Sequence, residues 1–305
     1  MIMNIGFIGL GIMGKPMAIN LMKDNYKLSV YDINTVAVEE LESKGAFGAS
    51  SPKEVAERSN IVITMLPNSH HVESVVFGEN SVIEGAKEDT IIVDMSSITP
   101  AASKNIANKL AGSGIHFIDA PVSGGELRAI DGTLSIMAGG KEEIFDQVKP
   151  ILSCMGQDIV LVGDNGCGVT AKLANQVMVN VNIATMAEAL MLAAKAGIDI
   201  EKMYQAIRGG FAGSAVLDAK LPTILNRDFT GGGRVDINLK DLTNVVNTAH
   251  ELGSPIPLTS QVLEMFHSLK VDGKEKIDHS GLVQYYEKLA NFEVKRKKEH
   301  EPNIL

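Results

Sequence analysis

Three glycines, Gly9, Gly11 and Gly14, stand as GxGxxG between a short β-forming run, Asn4 to Ile8, and a helix-forming segment, and they constrain this chain more than any other feature. In such a turn the first glycine allows the tight bend and the second lets backbone N–H groups approach a pyrophosphate at the positive end of the helix. The third lets the helix pack closely on the strand. Ile12 and Met13 complete the turn, and Pro16 falls in the first helical turn, where a missing N–H costs little. The pattern alone is weak, because glycine-rich turns are common. Here it is answered by Asp32 at the end of the second β-like run, at about the 20-residue spacing expected of an acid that binds the adenosine ribose. Gly9, Gly11, Ile12, Met13, Gly14 and Asp32 are therefore expected to form a dinucleotide site. Asp32 would repel a 2′-phosphate, and Ile33 and Asn34 supply no Arg to hold one, so the sequence leans toward NAD and leaves NADP use open. The competing reading of Asp32 is a plain cap on the following helix.

Short β-rich runs alternate with amphipathic segments through the first half: Asn4 to Ile8, Leu28 to Asp32, Ile61 to Leu66, Thr90 to Met95 and His116 to Ala120. This is the βαβ signature and predicts an α/β domain with a mainly parallel sheet. Leu134 to Ala138 and Ile159 to Val162 follow without a full crossover helix between every pair, so the far edge can be mixed. From about Val169 to Ala196 runs a stretch of Ala, Leu, Met, Val and Asn, too long for a strand and apolar on more than one face, expected as a long buried helix. Beyond Gly197 the pattern reads as further helices broken at Gly209-Gly210, Gly231 to Gly233 and Pro255 to Pro257. The expected organisation is a dinucleotide-binding domain over 1–163, an all-α domain over 164–292 joined through the long helix, and a frayed polar tail over 293–305.

A chain of 305 residues, 45% hydrophobic, is long enough for two domains. Its net charge of −9 argues against a nucleic-acid or anionic-membrane surface. Cys154 and Cys167 offer no disulfide framework and suit a reducing compartment. No signal-like segment opens the sequence and no apolar run is read as reaching membrane-spanning length, so a cytoplasmic protein is expected. His70, His71, His116, His250, His267, His279 and His300 lack ligand spacing, and no metal is expected.

Ligands of an open α/β sheet bind at the carboxyl ends of its strands, which directs attention to Leu66-Pro67 and Ser97. Asp119-Ala120-Pro121-Val122-Ser123-Gly124-Gly125 follows another strand and can offer a hydroxyl and bare N–H groups to a carboxylate. Farther on, Gly166-Cys167-Gly168 precedes Lys172, Asn175 and Gln176, whose spacing puts them on one helical face. A Lys in an apolar helix is costly unless paired or functional; the bland alternative is that Lys172 snorkels to solvent.

The elements GFIGLGIMGKPMA, DAPVSGG, GxGxxxKLxNQ and Lys240-Asp241, in this order and over nearly the whole chain, resemble the β-hydroxyacid dehydrogenase family. Weaker stretches, including Ile63 to Ser69, Ala206 to Gly210 and Val216 to Lys220, narrow the likeness to members that reduce tartronate semialdehyde to D-glycerate. The resemblance implies a Rossmann-type domain followed by an all-helical one, with the active site between them. It also implies Lys172 as the catalytic lysine, Ser123, Gly124 and Gly125 as the substrate loop, Asn175 as a substrate-binding residue and Lys240 near the nicotinamide. Homodimers or homotetramers built through the helical domain are implied as well. Sister substrates such as 3-hydroxyisobutyrate, succinic semialdehyde or glyoxylate stay open, as does a noncatalytic NAD sensor. An acyl or phosphoryl transferase is excluded by the missing GK[ST] end of the loop and the absence of a nucleophile–base pair.

Overall fold

The computed structural model describes residues 4–296. Its first half alternates β1 (Asn4–Ile8), α1 (Gly14–Lys23), β2 (Lys27–Tyr31), α2 (Thr35–Glu42), β3 (Phe47–Gly48), α3 (Pro52–Glu57), β4 (Ile61–Thr64), α4 (Ser69–Phe77), α5 (Val82–Gly85), β5 (Ile91–Asp94), α6 (Pro100–Ala111) and β6 (His116–Asp119). Then come β7 (Val122–Ser123), α7 (Gly125–Asp131), β8 (Leu134–Gly139), α8 (Glu142–Leu152) and β9 (Gly156–Gly163). The strands form one sheet in the order β3-β2-β1-β4-β5-β6-β8-β7, with β9 paired to β8. From β3 to β6 every neighbour is parallel. The far edge is mixed: β8 runs antiparallel to β6 and β7 and parallel to β9.

Two apolar faces explain the sandwich of helices around this sheet. Successive strand residues point to opposite faces. Ile5, Phe7, Ile63, Val93 and Ile118 enter one buried cluster with Leu21 of α1, Leu41 of α2 and Val148 of α8. Ile8, Val62, Ile92 and Phe117 enter the other with Val55 of α3, Val72 of α4 and Ile106 of α6. Burying each such side chain contributes about 1.5–3 kcal/mol, and a sheet buried on both faces reads as continuous apolar runs, as β4 and β5 do. Expected strand ends shift by up to three residues, and the two-residue strands β3 and β7 carry too little pattern to be seen in the sequence.

The second half is helical among the described residues: α9 (Cys167–Lys195), α10 (Ile200–Ile207), α11 (Ala215–Asn226), α12 (Val235–Glu251), α13 (Pro257–Val271) and α14 (Val283–Ala290), with a 3₁₀ turn at His279–Leu282. The chain divides into two compact units after Lys172, inside α9. The helical unit has its own core, in which Ile183, Ala187 and Leu190 of α9 pack with Ile224, Leu242 and Phe266. By length and composition α9 could cross a membrane, which corrects the expectation that no run reaches that length. Its apolarity serves this core.

Two more expectations need correction. Gly168 lies inside α9, so the helix starts two residues before Val169, in contrast to a pattern that seemed free of glycine only because its start was set late. Residues 293–296 are not frayed: Val294 is fully buried, and its N–H donates to Glu287 Oε1 at 2.9 Å. The rest of the expected tail, with His300, lies outside the described residues.

Candidate active site

The carboxyl ends of β1, β4 and β5 lie side by side, and strand order reverses direction on either side of β1, the point at which open α/β sheets bind ligands. Gly9 sits there with a φ of 99°, a conformation that favours glycine, and a Cβ on it would press into the carbonyl oxygen of Met65. A Cβ on Gly14 would press into the Gly9 carbonyl oxygen and come 3.1 Å from the Phe7 ring, so the third glycine is what lets α1 close on β1. Gly11 differs. A Cβ there meets no protein atom within 4 Å, and its φ is not positive, so neither packing nor backbone strain asks for glycine. Bareness at Gly11 suits the close approach of a group from outside the protein, as a bound pyrophosphate requires. The residues present fit a dinucleotide.

Asp32 follows β2 directly. Its Oδ2 accepts from the Leu10 N–H at 2.6 Å and its Oδ1 from the Asn34 N–H at 2.7 Å. The cap of α2 is Asn34, whose side chain accepts from the Val36 N–H, so the plain-cap reading of Asp32 fails. Ile12 is half-exposed at the turn, while Met13 packs on the core and precedes the first turn of α1. Leu66 donates its N–H to Ser96 Oγ at 2.8 Å, and the glycine turn approaches it: a Cβ on Gly9 would lie 3.1 Å from Leu66 Cδ2. Pro67, next to Leu66 in sequence, is exposed, and Ser97, next to Ser96, is half-buried.

A pair of acids below this surface was not anticipated as a site. Asp94 and Asp119 are paired in register at the ends of β5 and β6 and are both fully buried. Asp94 Oδ1 accepts from the Thr64 hydroxyl at 2.7 Å and the Ser96 N–H at 3.2 Å, while its Oδ2 has no hydrogen-bond partner among the described residues. Burial pushes the Asp94 carboxyl up to about 7; hydrogen bonds from Ser96 and Thr64 oppose the rise, and nearby Asp119 adds to it. The folded protein thus binds a proton that the unfolded chain, with a carboxyl pKa of about 3.9, releases. This contribution to stability is complete below about pH 4 and is lost as pH rises to about 7. Asp94→Asn keeps the acceptor oxygen and cannot ionise. Its melting temperature is expected to gain on the parent protein's between about pH 4 and about pH 7, and a difference that stays flat across that window would show that Asp94 does not change charge there.

The substrate-loop reading needs adjustment. Ser123 ends β7, paired opposite Ser135, because β8 folds back and offers a partner that the loop-like sequence does not reveal. Gly124 and Gly125 follow with φ of 141° and 71°, and α7 starts at Gly125. The conformation explains both glycines.

Lys172 lies in the second turn of α9 and is only 8% exposed, so it does not snorkel to solvent. In the helical unit Asn175 donates from Nδ2 to Gln176 Oε1 at 3.0 Å, and Gln176 donates from Nε2 to Asp241 Oδ2 at 2.5 Å. Asp241 Oδ1 pairs with Lys240 Nζ at 2.8 Å. One buried carboxylate therefore links Lys240 of α12 with Gln176 and, through it, Asn175 of α9. Sequence reasoning had the residues Lys240-Asp241 as a motif and gave Asp241 no part; an acid beside a lysine on an otherwise amphipathic helix was the signal available.

Among the described residues no three His, Cys, Asp or Glu side chains group as metal ligands. His71 Nδ1 lies 2.8 Å from Asn68 Oδ1 and His116 Nε2 lies 3.5 Å from Asp89, both at the surface, while His279 is buried beside Gly233. His250 and His267 are exposed.

Comparisons with known proteins agree with this architecture. Residues 4–163 match the family model described as the NAD binding domain of 6-phosphogluconate dehydrogenase, and residues 166–286 match the NAD-binding domain of NADP-dependent 3-hydroxyisobutyrate dehydrogenase. The chain is 43% identical over 292 residues to the 2-hydroxy-3-oxopropionate reductase of Escherichia coli K12, covering 96% of this chain and 100% of that protein. It is 38% identical to the 2-(hydroxymethyl)glutarate dehydrogenase of Eubacterium barkeri, covering 95% and 97% of the two. The crystal structure of 3-hydroxyisobutyrate dehydrogenase from Salmonella typhimurium superimposes with a TM-score of 0.83 at 32% identity, over 92% of this chain and 99% of that one. Glycine turn, sheet order, helical second unit and full-length likeness converge: the chain belongs to the β-hydroxyacid dehydrogenase family of NAD(P)-dependent oxidoreductases.

Proposed function

We propose that this enzyme reduces tartronate semialdehyde (2-hydroxy-3-oxopropanoate) to D-glycerate with NADH. The full-length 43% identity to a 2-hydroxy-3-oxopropionate reductase carries the choice of substrate. Gly9, Gly11, Ile12, Met13, Gly14, Leu66, Pro67 and Ser97 line the cofactor site, Asp32 takes the ribose, and Lys240 stands near the nicotinamide. The carboxylate charge at Asp32, with no Arg at Ile33 or Asn34, supports NADH over NADPH.

The bound nicotinamide supplies the hydride to the aldehyde carbon. Lys172, as ammonium, gives a proton to the carbonyl oxygen, so the carbonyl becomes an alcohol without passing through a free alkoxide. Ser123 and the Gly124 and Gly125 N–H groups hold the substrate carboxylate, and Asn175 orients the substrate. A carboxylate held near Lys172 favours its charged form. Burial of Lys172 is consistent with this role, since a cation is costly to bury unless it is paired or functional. Exposed Met178 and Leu192 on α9 support a homodimer or homotetramer that covers them, and two free cysteines suit the cytoplasm.

Steady-state kcat/KM for tartronate semialdehyde, succinic semialdehyde, glyoxylate and methylmalonate semialdehyde, each with NADH and NADPH, tests the assignment. The highest value is expected for tartronate semialdehyde with NADH. Preference for another aldehyde would discard the named substrate and keep the reaction; preference for NADPH would discard the role given to the Asp32 charge.

A further inference from the structure

The first turns of α9 are held by a residue that the substrate and cofactor assignments leave unused. Asp119, at the end of β6, is fully buried and accepts two backbone N–H groups from the start of α9: Gly166 N–H on Oδ1 at 2.7 Å and Val169 N–H on Oδ2 at 2.9 Å. These N–H groups have no partner within the helix, so a side chain from a strand 47 residues earlier in the sequence caps it. Asn165 fastens the same loop, donating from Nδ2 to the Phe117 carbonyl at 2.9 Å and to the Gly139 carbonyl at 3.3 Å. The fit is close enough to exclude a methyl group. A Cβ on Gly168 would press into the Met137 carbonyl oxygen and lie 2.6 Å from the Asp119 carbonyl oxygen, and one on Gly139 would lie 2.6 Å from the Gly168 N. The two bonds, one just ahead of the helix and one in its first turn, fix the start of α9 against the end of β6. Lys172 follows Val169 by three residues, less than one turn of about 3.6 residues.

We propose that Asp119 is a positioning residue for catalysis, whose bidentate grip on Gly166 and Val169 sets the orientation from which Lys172 delivers its proton. The inference rests on the role given above to Lys172. Asp119 touches no reacting atom; it acts through the helix. A carboxylate suits the task because both of its oxygens accept, whereas the Asn amide has one oxygen and must turn a donor toward the other N–H.

Asp119→Asn, Lys172→Ala and the parent enzyme are compared in steady-state reduction of tartronate semialdehyde by NADH, in H₂O and in D₂O. Misplacement of a catalytic group by about 1 Å can cost about 10²-fold in rate, and Asp119→Asn is expected to lose kcat on that order with KM for NADH unchanged. Its solvent isotope effect on kcat is expected to rise, since proton delivery then limits turnover. Unchanged kcat, or a fall in kcat with the isotope effect unmoved, would overturn the proposal and leave Asp119 a structural cap. If Lys172→Ala keeps its turnover, the reading of Lys172 fails first and the positioning role falls with it; if Lys172→Ala collapses and Asp119→Asn does not, only the positioning role fails. Should Asp119→Asn not fold, as judged by circular dichroism, Asn165→Ala loosens the same loop and is held to the same two outcomes.

Discussion

Lys172→Ala is expected to lower kcat by about 10²- to 10⁴-fold, the usual worth of a general acid, while NADH binds as in the parent enzyme. The division of the effect follows from position. Lys172 is buried in α9, and in the role proposed above it acts on the substrate carbonyl rather than on the cofactor, so its loss is expected to remove proton delivery and leave cofactor affinity alone. Arg in its place is expected to rescue little: the guanidinium is bulkier, stays protonated and releases its proton poorly at neutral pH. Turnover within a few-fold of the parent in the Ala variant, measured at saturating substrate and NADH, would remove Lys172 from the reaction. A large rise in the Kd for NADH without loss of kcat would move it to the cofactor site.

The second large effect separates two glycines that the motif makes look alike. Gly14→Ala drives a methyl group into the Gly9 carbonyl and against Phe7, so α1 must lift from β1. Overpacking of this kind costs about 1–3 kcal/mol, and the variant is expected to melt earlier and bind NADH weakly. Gly11→Ala meets nothing in the protein and needs no unusual φ, so its melting temperature is expected to match the parent's or exceed it slightly, because Ala loses less backbone entropy on folding. Its affinity for NADH is nonetheless expected to fall by at least about tenfold, or about 1.4 kcal/mol. Cofactor fluorescence titrations beside melting curves read both quantities. A Gly11→Ala protein that binds NADH like the parent would show that no ligand backs onto this residue.

The conformation of the glycine turn was legible because it is set locally: Gly9 and Gly14 are required by backbone conformation and close packing within one strand–turn–helix unit, and Asp32 follows the next strand directly. The parallel core was legible for a similar reason, since strands buried on both faces must be apolar throughout. What sequence left hidden depends on chain return. Ser123 reads as loop until β8 turns back to pair with β7. Asp119 reads as the first letter of a motif until residues 166–169 return to it. Asp94 ends an apolar strand and gives no sign of its proton until burial on every side is known. Asp241 likewise shows its bond to Gln176 only when α9 and α12 pack together in the helical unit.

The place of β1 has a consequence for biogenesis. The strand nearest the beginning of this sequence lies inside the sheet, between β2 and β4, rather than at its edge. Proteolytic trimming or a fusion that pulled Asn4–Ile8 out of register would therefore do more than shorten the chain. It would cut the sheet in two, exposing on β2 and β4 unpaired edges of the kind that recruit other chains into aggregates.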